Sequence, residues 1–291
     1  MKAIKGTGVA LVTPFNEDFS VDHESLSKLV DFQCENGTDY LVILGTTGES
    51  PVVSKKEKQE IIETVKKANR GRLPLVLGMG SNHTLDLINE LKNLDTEGLT
   101  AILSVSPYYN KPNQEGIYRH YMAVADASPL PVILYNVPGR TGANMTAETT
   151  LKLSKHPNIC AVKEASGNLS QCMEIIQHKP EDFVVISGDD AYTLPFISIG
   201  MEGVISVICN AYPRKFSDMI DRCMQGDFES AKSLHYDLLD QMNLIFADGS
   251  PSGIKIILNE LGICKTFVKP PLFEVNEKVK NLLIEANKKL N

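Results

Sequence analysis

Short runs of consecutive apolar residues alternate along the chain with longer stretches in which apolar residues recur every three or four positions. The short runs cover residues 8–12, 40–44, 75–77, 101–105, 132–135, 159–163, 183–187 and 203–207. Each is rich in Val, Ile and Leu with little polar alternation, the pattern of strands buried on both faces. The stretches between them read as amphipathic helices with recognisable ends. Asp22 is placed to cap the first, Leu26, Leu29, Val30 and Gln33 mark its inward stripe, and Gly37 stops it. The second opens on a capping box, Ser54 with Glu57, and carries Ile61, Ile62 and Val65 inward. Eight strand–helix units, roughly 20–35 residues apart, predict an α/β chain closed into a (β/α)8 TIM barrel. The units are unlike one another, which excludes a solenoid. Strand-like runs then cease, so the pattern predicts a barrel over residues 1–224 and a C-terminal helical region over residues 225–291.

In a barrel of this kind chemistry gathers at the C-terminal ends of the strands. Those ends carry Thr46 and Thr47, Tyr108 and Tyr109, Tyr135 with Arg140 just beyond it, Lys163, Gly188 and Ser206. Lys163 closes a run of apolar and small residues. A free lysine with pKa about 10.4 is only about 0.1% neutral near pH 7, so nucleophilic use of its amine requires a desolvated setting. The natural reaction of such an amine is a Schiff base with a carbonyl. A strand-end lysine that snorkels to solvent fits the same pattern. The rival, Lys255, lies between Ile254 and Ile256, where the periodicity places it on a helix flank with its head in water.

The other strand-end residues are coherent with carbonyl chemistry. Hydroxyls relay protons, an arginine grips a carboxylate bidentately, and glycine lets backbone approach a small ligand. Each also has a plainer reading: a turn at Gly45-Thr46-Thr47-Gly48, an interface patch at Tyr108-Tyr109, a surface charge at Arg140. Asp189 and Asp190 suit capping of the next helix better than a metal site. The histidines lack ligand spacing, so no metal is expected.

Composition narrows the class. The 291 residues are 43% hydrophobic and 22% charged, ordinary values for a globular protein. The net charge of −7 argues against nucleic acid as a main partner and means that an anionic substrate needs local cations. No apolar run approaches the ~20 residues of a membrane span, and the first residues lack the apolar core of a signal peptide. Six cysteines without C-x-x-C spacing suit buried thiols. A cytoplasmic protein is expected.

Five segments, in order, carry a resemblance: Gly45-Thr46-Thr47-Gly48-Glu49-Ser50, Ser106-Pro107-Tyr108-Tyr109-Asn110-Lys111-Pro112, Leu134 to Gly142 around Tyr135 and Arg140, Val162-Lys163-Glu164-Ala165, and Ser187-Gly188-Asp189-Asp190-Ala191. They resemble the dihydrodipicolinate synthase family, among the pyruvate-dependent class I aldolases, and the similarity spans essentially the whole chain. The resemblance implies condensation of pyruvate with L-aspartate 4-semialdehyde through an imine on Lys163, without a cofactor. It implies Tyr135 as proton shuttle, with Thr46 and Tyr109 completing a hydroxyl chain and Tyr109 reaching in from a neighbouring subunit of a homotetramer. It implies Thr47 on the pyruvate carboxylate, Arg140 on the semialdehyde carboxylate, and the backbone carbonyls of Gly188 and Ile205 lining the pocket. Position 139 is glycine where serine is common, and the loop 249–253 departs from the Asn-Pro-rich loop of many relatives. Lys55 and Lys58 stand where lysine-regulated members tend to have histidine or an acid, so weak or absent inhibition by free L-lysine is expected. A sugar-acid aldolase suits Arg140 less well. A catalytically dead barrel suits the complete set of Lys163, Tyr135 and Thr46 less well. A pyridoxal phosphate enzyme would need a phosphate cup that the chain does not offer.

Overall fold

Eight of the apolar runs become eight parallel strands that close on themselves in sequence order. These are β1 Gly6–Ala10, β2 Tyr40–Ile43, β3 Leu75–Gly78, β4 Ala101–Val105, β5 Val132–Asn136, β6 Ile159–Glu164, β7 Val184–Ser187 and β8 Gly203–Ser206, with β8 pairing back onto β1. The computed structural model describes residues 4–290; residues 1–3 and 291, at the outer ends of the two predicted regions, lie outside the described residues. The helices that follow the strands are α1 His23–Glu35, α2 Lys55–Asn69, α3 Thr84–Lys92, α4 Gln114–Ala127, the short α5 Pro138–Thr141, α6 Ala147–Leu153, α7 Leu169–His178, α8 Thr193–Ser198 and, after β8, α9 Pro213–Met224. Three more follow: α10 Phe228–Leu244, α11 Ser252–Glu260 and α12 Glu277–Leu290.

The helix ends follow from local chemistry. The Asp22 carboxylate accepts from the Ser25 N–H, and Ser54 and Glu57 form the reciprocal capping box. Gln33, on the inward stripe of α1, is buried because its amide donates to the carbonyls of Cys209 and Asn210 after β8. The first strand ends earlier than its apolar run suggests. Leu11 and Val12 are buried, yet the Val12 N–H donates to the Asn210 side chain instead of to a ladder carbonyl.

Two apolar clusters result. One fills the space between strands and helices, and the other fills the barrel, with Val42, Val76, Leu103, Ile133, Ala161 and Ile186 among its members. The outer cluster continues without a break into Ala231, Leu238, Met242, Ile254 and Ile257 of the C-terminal helices.

A register shift sets the face of β6. Val132 pairs with Ile159, but Ile133 pairs with Ala161, so Cys160 is an extra residue. Ile159 lies in the outer cluster, and strict alternation would carry position 163 outward with it. The bulge at Cys160 reverses the phase, placing Ala161 in the barrel and pairing Lys163 with Tyr135.

Two sequence-based expectations fail. Lys255 does not reach water: it is completely buried on α11, its Nζ 2.7 Å from Glu49 Oε1. The periodicity showed an apolar helix face but could not show a carboxylate arriving there from residue 49. Asp190 does not cap the helix after β7. Its Oδ2 accepts from the N–H groups of Val207 and Ile208, which are held as a turn after β8, and only Asp189 bonds the Tyr192 N–H at the start of α8.

Candidate active site

β5 and β6 run side by side with Tyr135 opposite Lys163 and Asn136 opposite Glu164. Because side chains alternate along a strand, Tyr135 and Lys163 enter the barrel mouth while Asn136 and Glu164 face the helix layer. Lys163 is 5% exposed, and its Nζ lies 4.3 Å from the centroid of the Tyr135 ring. Among the described residues its amine has no carboxylate partner. A cavity of about 830 Å³ opens above it, lined by Thr46, Thr47, Tyr135, Arg140, Lys163 and Gly188 among others.

Six of the eight predicted site residues therefore meet in one cavity. Thr46 and Thr47 form a single 3-10 turn, Thr46–Gly48, after β2, with Thr47 buried and Thr46 open to the cavity. Arg140 sits on α5, exposed and without an ion-pair partner among the described residues, so its guanidinium is free to receive an anion. Gly188 is needed for a steric reason. A Cβ there would stand 2.7 Å from Ala165 Cβ and 2.9 Å from Lys163 Cε. Gly188→Ala is expected to displace the lysine stem and lower kcat roughly 10- to 100-fold, since a shift of about 1 Å in a reacting group costs that much. Steady-state kinetics beside a thermal midpoint measure it, and unchanged kcat in a folded variant would refute the steric argument.

The remaining two residues lie elsewhere. Ile205 is buried in the barrel interior, and its neighbour Val207 lines the cavity. Tyr109 is 88% exposed and outside the cavity wall, with positive φ of 72° and its N–H bonded to the Thr141 carbonyl. Thr46 and Tyr135 share the cavity, but no hydrogen bond joins their hydroxyls among the described residues.

Sequence reasoning missed two groups. The first is the inner face of α10, where His235, Met242 and Asn243 form the far wall of the cavity. His235 is 8% exposed, with Nδ1 unpartnered among the described residues, and burial pulls its pKa below the usual value. A histidine on the apolar stripe of α10 was the available signal. The second is Glu164, buried behind Lys163. Burial pushes its carboxyl up to about 7, against hydrogen bonds from Asn136, Ser166 and Gln171. Asn136 and Gln171 also bond Asn144, just beyond α5, so this network ties the Lys163 strand to the segment that carries Arg140.

The dihydrodipicolinate synthetase family model matches residues 3–290. The chain belongs to this family. It is 53% identical to the 4-hydroxy-tetrahydrodipicolinate synthase of Parabacteroides distasonis, over 96% of each chain. It is 52% identical to the enzyme of that name from Flavobacterium psychrophilum, over 100% of each. Among solved structures, it resembles a chloride-inhibited dihydrodipicolinate synthase from Acinetobacter baumannii complexed with pyruvate, at 37% identity and a TM-score of 0.95, covering 99% of both chains. The family membership agrees with the resemblance read from the five sequence segments. No helix among the described residues is long and apolar enough to cross a membrane.

Proposed function

We propose that this chain condenses pyruvate with L-aspartate 4-semialdehyde to give 4-hydroxy-tetrahydrodipicolinate, a lyase-class step on the route to diaminopimelate and lysine. The observation that carries the reading is the buried Lys163 amine against the Tyr135 ring, in a cavity that also holds Thr46, Thr47 and Arg140. The amine adds to the pyruvate ketone, and loss of water gives an imine. The protonated imine acts as the electron sink when a methyl proton leaves, so the enamine forms without an added cofactor. The enamine carbon attacks the semialdehyde's aldehyde carbon. The semialdehyde's amino group then adds to the imine carbon, closing the ring and expelling Lys163. Tyr135 and Thr46 move protons in these steps, Thr47 holds the pyruvate carboxylate and Arg140 the semialdehyde carboxylate. The test is a coupled assay of purified protein with both substrates. Turnover with pyruvate and a sugar aldehyde, but not with the semialdehyde, would overturn it.

The exposed Tyr109 supports an oligomer, in our reading a homotetramer. An aromatic side chain 88% exposed on the loop after β4 supports the reading that a second copy covers it and that it completes that neighbour's hydroxyl chain. Mixing inactive Tyr109→Phe and Lys163→Ala subunits is expected to restore activity, because a hybrid pair contains one complete site. Hybrids without activity would remove Tyr109 from the neighbour's site.

Free L-lysine is expected to inhibit weakly. Lys58 lines a second cavity with Ser50, Pro51 and Tyr108; Glu90 on the same wall offsets part of its charge, yet a cationic effector still meets like charge there. At ~6 Å that costs about 0.7 kcal/mol in water and ~3 kcal/mol at an effective dielectric of 20. Lys55 contributes less, because Glu90 pairs with it at 3.2 Å. Inhibition well below about 1 mM in a lysine titration would contradict the charge argument.

A further inference from the structure

The Thr46–Gly48 turn is bracketed by two non-glycine residues in the left-handed region, Leu44 at φ 57° and Glu49 at φ 56°. Such backbone persists only where its surroundings over-determine it. At Glu49 those surroundings are unusual. Both members of the Glu49–Lys255 ion pair have fully buried side chains, and the partner comes from α11, outside the eight strand–helix units. Lys255 Nζ also donates to the Phe267 carbonyl at 2.7 Å and lies 4.5 Å from the Phe15 ring centroid. The second oxygen of Glu49 accepts the Lys269 N–H at 2.8 Å, and Lys269 Nζ reaches Glu57 at 2.6 Å at the start of α2. On the barrel side, Thr13 Oγ1 donates to the Gly48 carbonyl at 2.7 Å, and the Glu49 N–H donates to the Thr46 carbonyl.

We propose that Glu49 and Lys255 are positioning residues for the condensation, locking the Thr46–Thr47 turn to the C-terminal helices so that its hydroxyls face Lys163. The proposal rests on the reading that Thr47 receives the pyruvate carboxylate and Thr46 joins the proton path. A buried ion pair is a poor source of net stability, because desolvation offsets most of its attraction. Its strength here is geometric. Two donors, the Lys255 ammonium and the Lys269 N–H, converge on Glu49, the residue that ends the turn, and the Phe267 carbonyl holds Lys255 in place. The C-terminal region is in this view part of the catalytic apparatus, although neither residue touches substrate.

The experiment compares Glu49→Gln, Lys255→Met and the double variant. Each single change strands a buried charge and is expected to lower the thermal midpoint. The double change removes both charges and is expected to recover most of that loss. A purely structural pair predicts that the folded double variant regains wild-type kinetics. Positioning predicts instead that KM for pyruvate stays raised roughly 10-fold or more, with KM for the semialdehyde moved much less. Borohydride trapping at saturating pyruvate should still mark Lys163 in the double variant. Should that variant not fold, Thr13→Ala loosens the same turn without stranding a charge and is expected to raise KM for pyruvate several-fold. Wild-type KM for pyruvate in the folded double variant, or in Thr13→Ala where that is the readable one, overturns the proposal. Absence of trapping in the wild-type protein would instead overturn the underlying functional reading, so the two failures are distinguishable.

Discussion

Lys163→Ala is expected to lose at least about 10³-fold in kcat, equivalent to ~4 kcal/mol of barrier, while the barrel stays folded. No other side chain in the cavity offers an amine. Among the described residues the one other deeply buried lysine, Lys255, is committed to Glu49 and the Phe267 carbonyl. Lys163→Arg is expected to fail equally, because a guanidinium does not deprotonate in a protein. Folding should survive the alanine change. The amine makes no ion pair or hydrogen bond among the described residues, so its removal strands no buried partner. The direct measurement is borohydride reduction with pyruvate present, followed by peptide mass analysis. A carboxyethyl group on the Lys163 peptide is the expected product. The same group on Lys255, or none, would remove the imine from Lys163.

Arg140→Ala is expected to raise KM for the semialdehyde roughly 10- to 150-fold, the range for losing a charge-assisted contact of ~1.5–3 kcal/mol. KM for pyruvate should change far less, because the pyruvate carboxylate is assigned to the Thr46–Gly48 turn across the cavity. The structure makes this separation testable. Arg140 is exposed on α5 and free of partners among the described residues, so its truncation breaks no internal bond. The segment beyond α5 is anchored independently, through Asn136 and Gln171 to Asn144. Equal increases in both Michaelis constants would mean that the loop had collapsed and that Arg140 is not the selective anchor.

Most of the architecture was legible in the apolar pattern. Runs of β-branched residues at regular intervals, with helices capped by Asp22 and by Ser54–Glu57, require a parallel sheet covered by helices, and closure follows from their number and order. Six of the eight candidate site residues met in one cavity because strand C-termini necessarily converge in a barrel. Tyr109 did not, since its loop turns outward at positive φ. The wall formed by α10 was illegible for another reason. Amphipathicity reports that a helix has a buried face, not which surface covers it.

The sequence by itself determined which residue types stand at the strand ends, and hence the carbonyl chemistry that a lysine, a tyrosine, two threonines and an arginine can perform together. Those are local facts, set by composition and periodicity. Two decisions belonged to the tertiary structure. The face of β6 that carries Lys163 depends on one extra residue at Cys160, and the bulge is a property of the pairing with β5, not of either strand alone. The environment of Lys255 depends on a carboxylate 206 positions away in the chain. Periodicity weighed that lysine as a solvated flank, whereas the fold buried it against Glu49, because a long-range ion pair leaves no periodic trace in either segment.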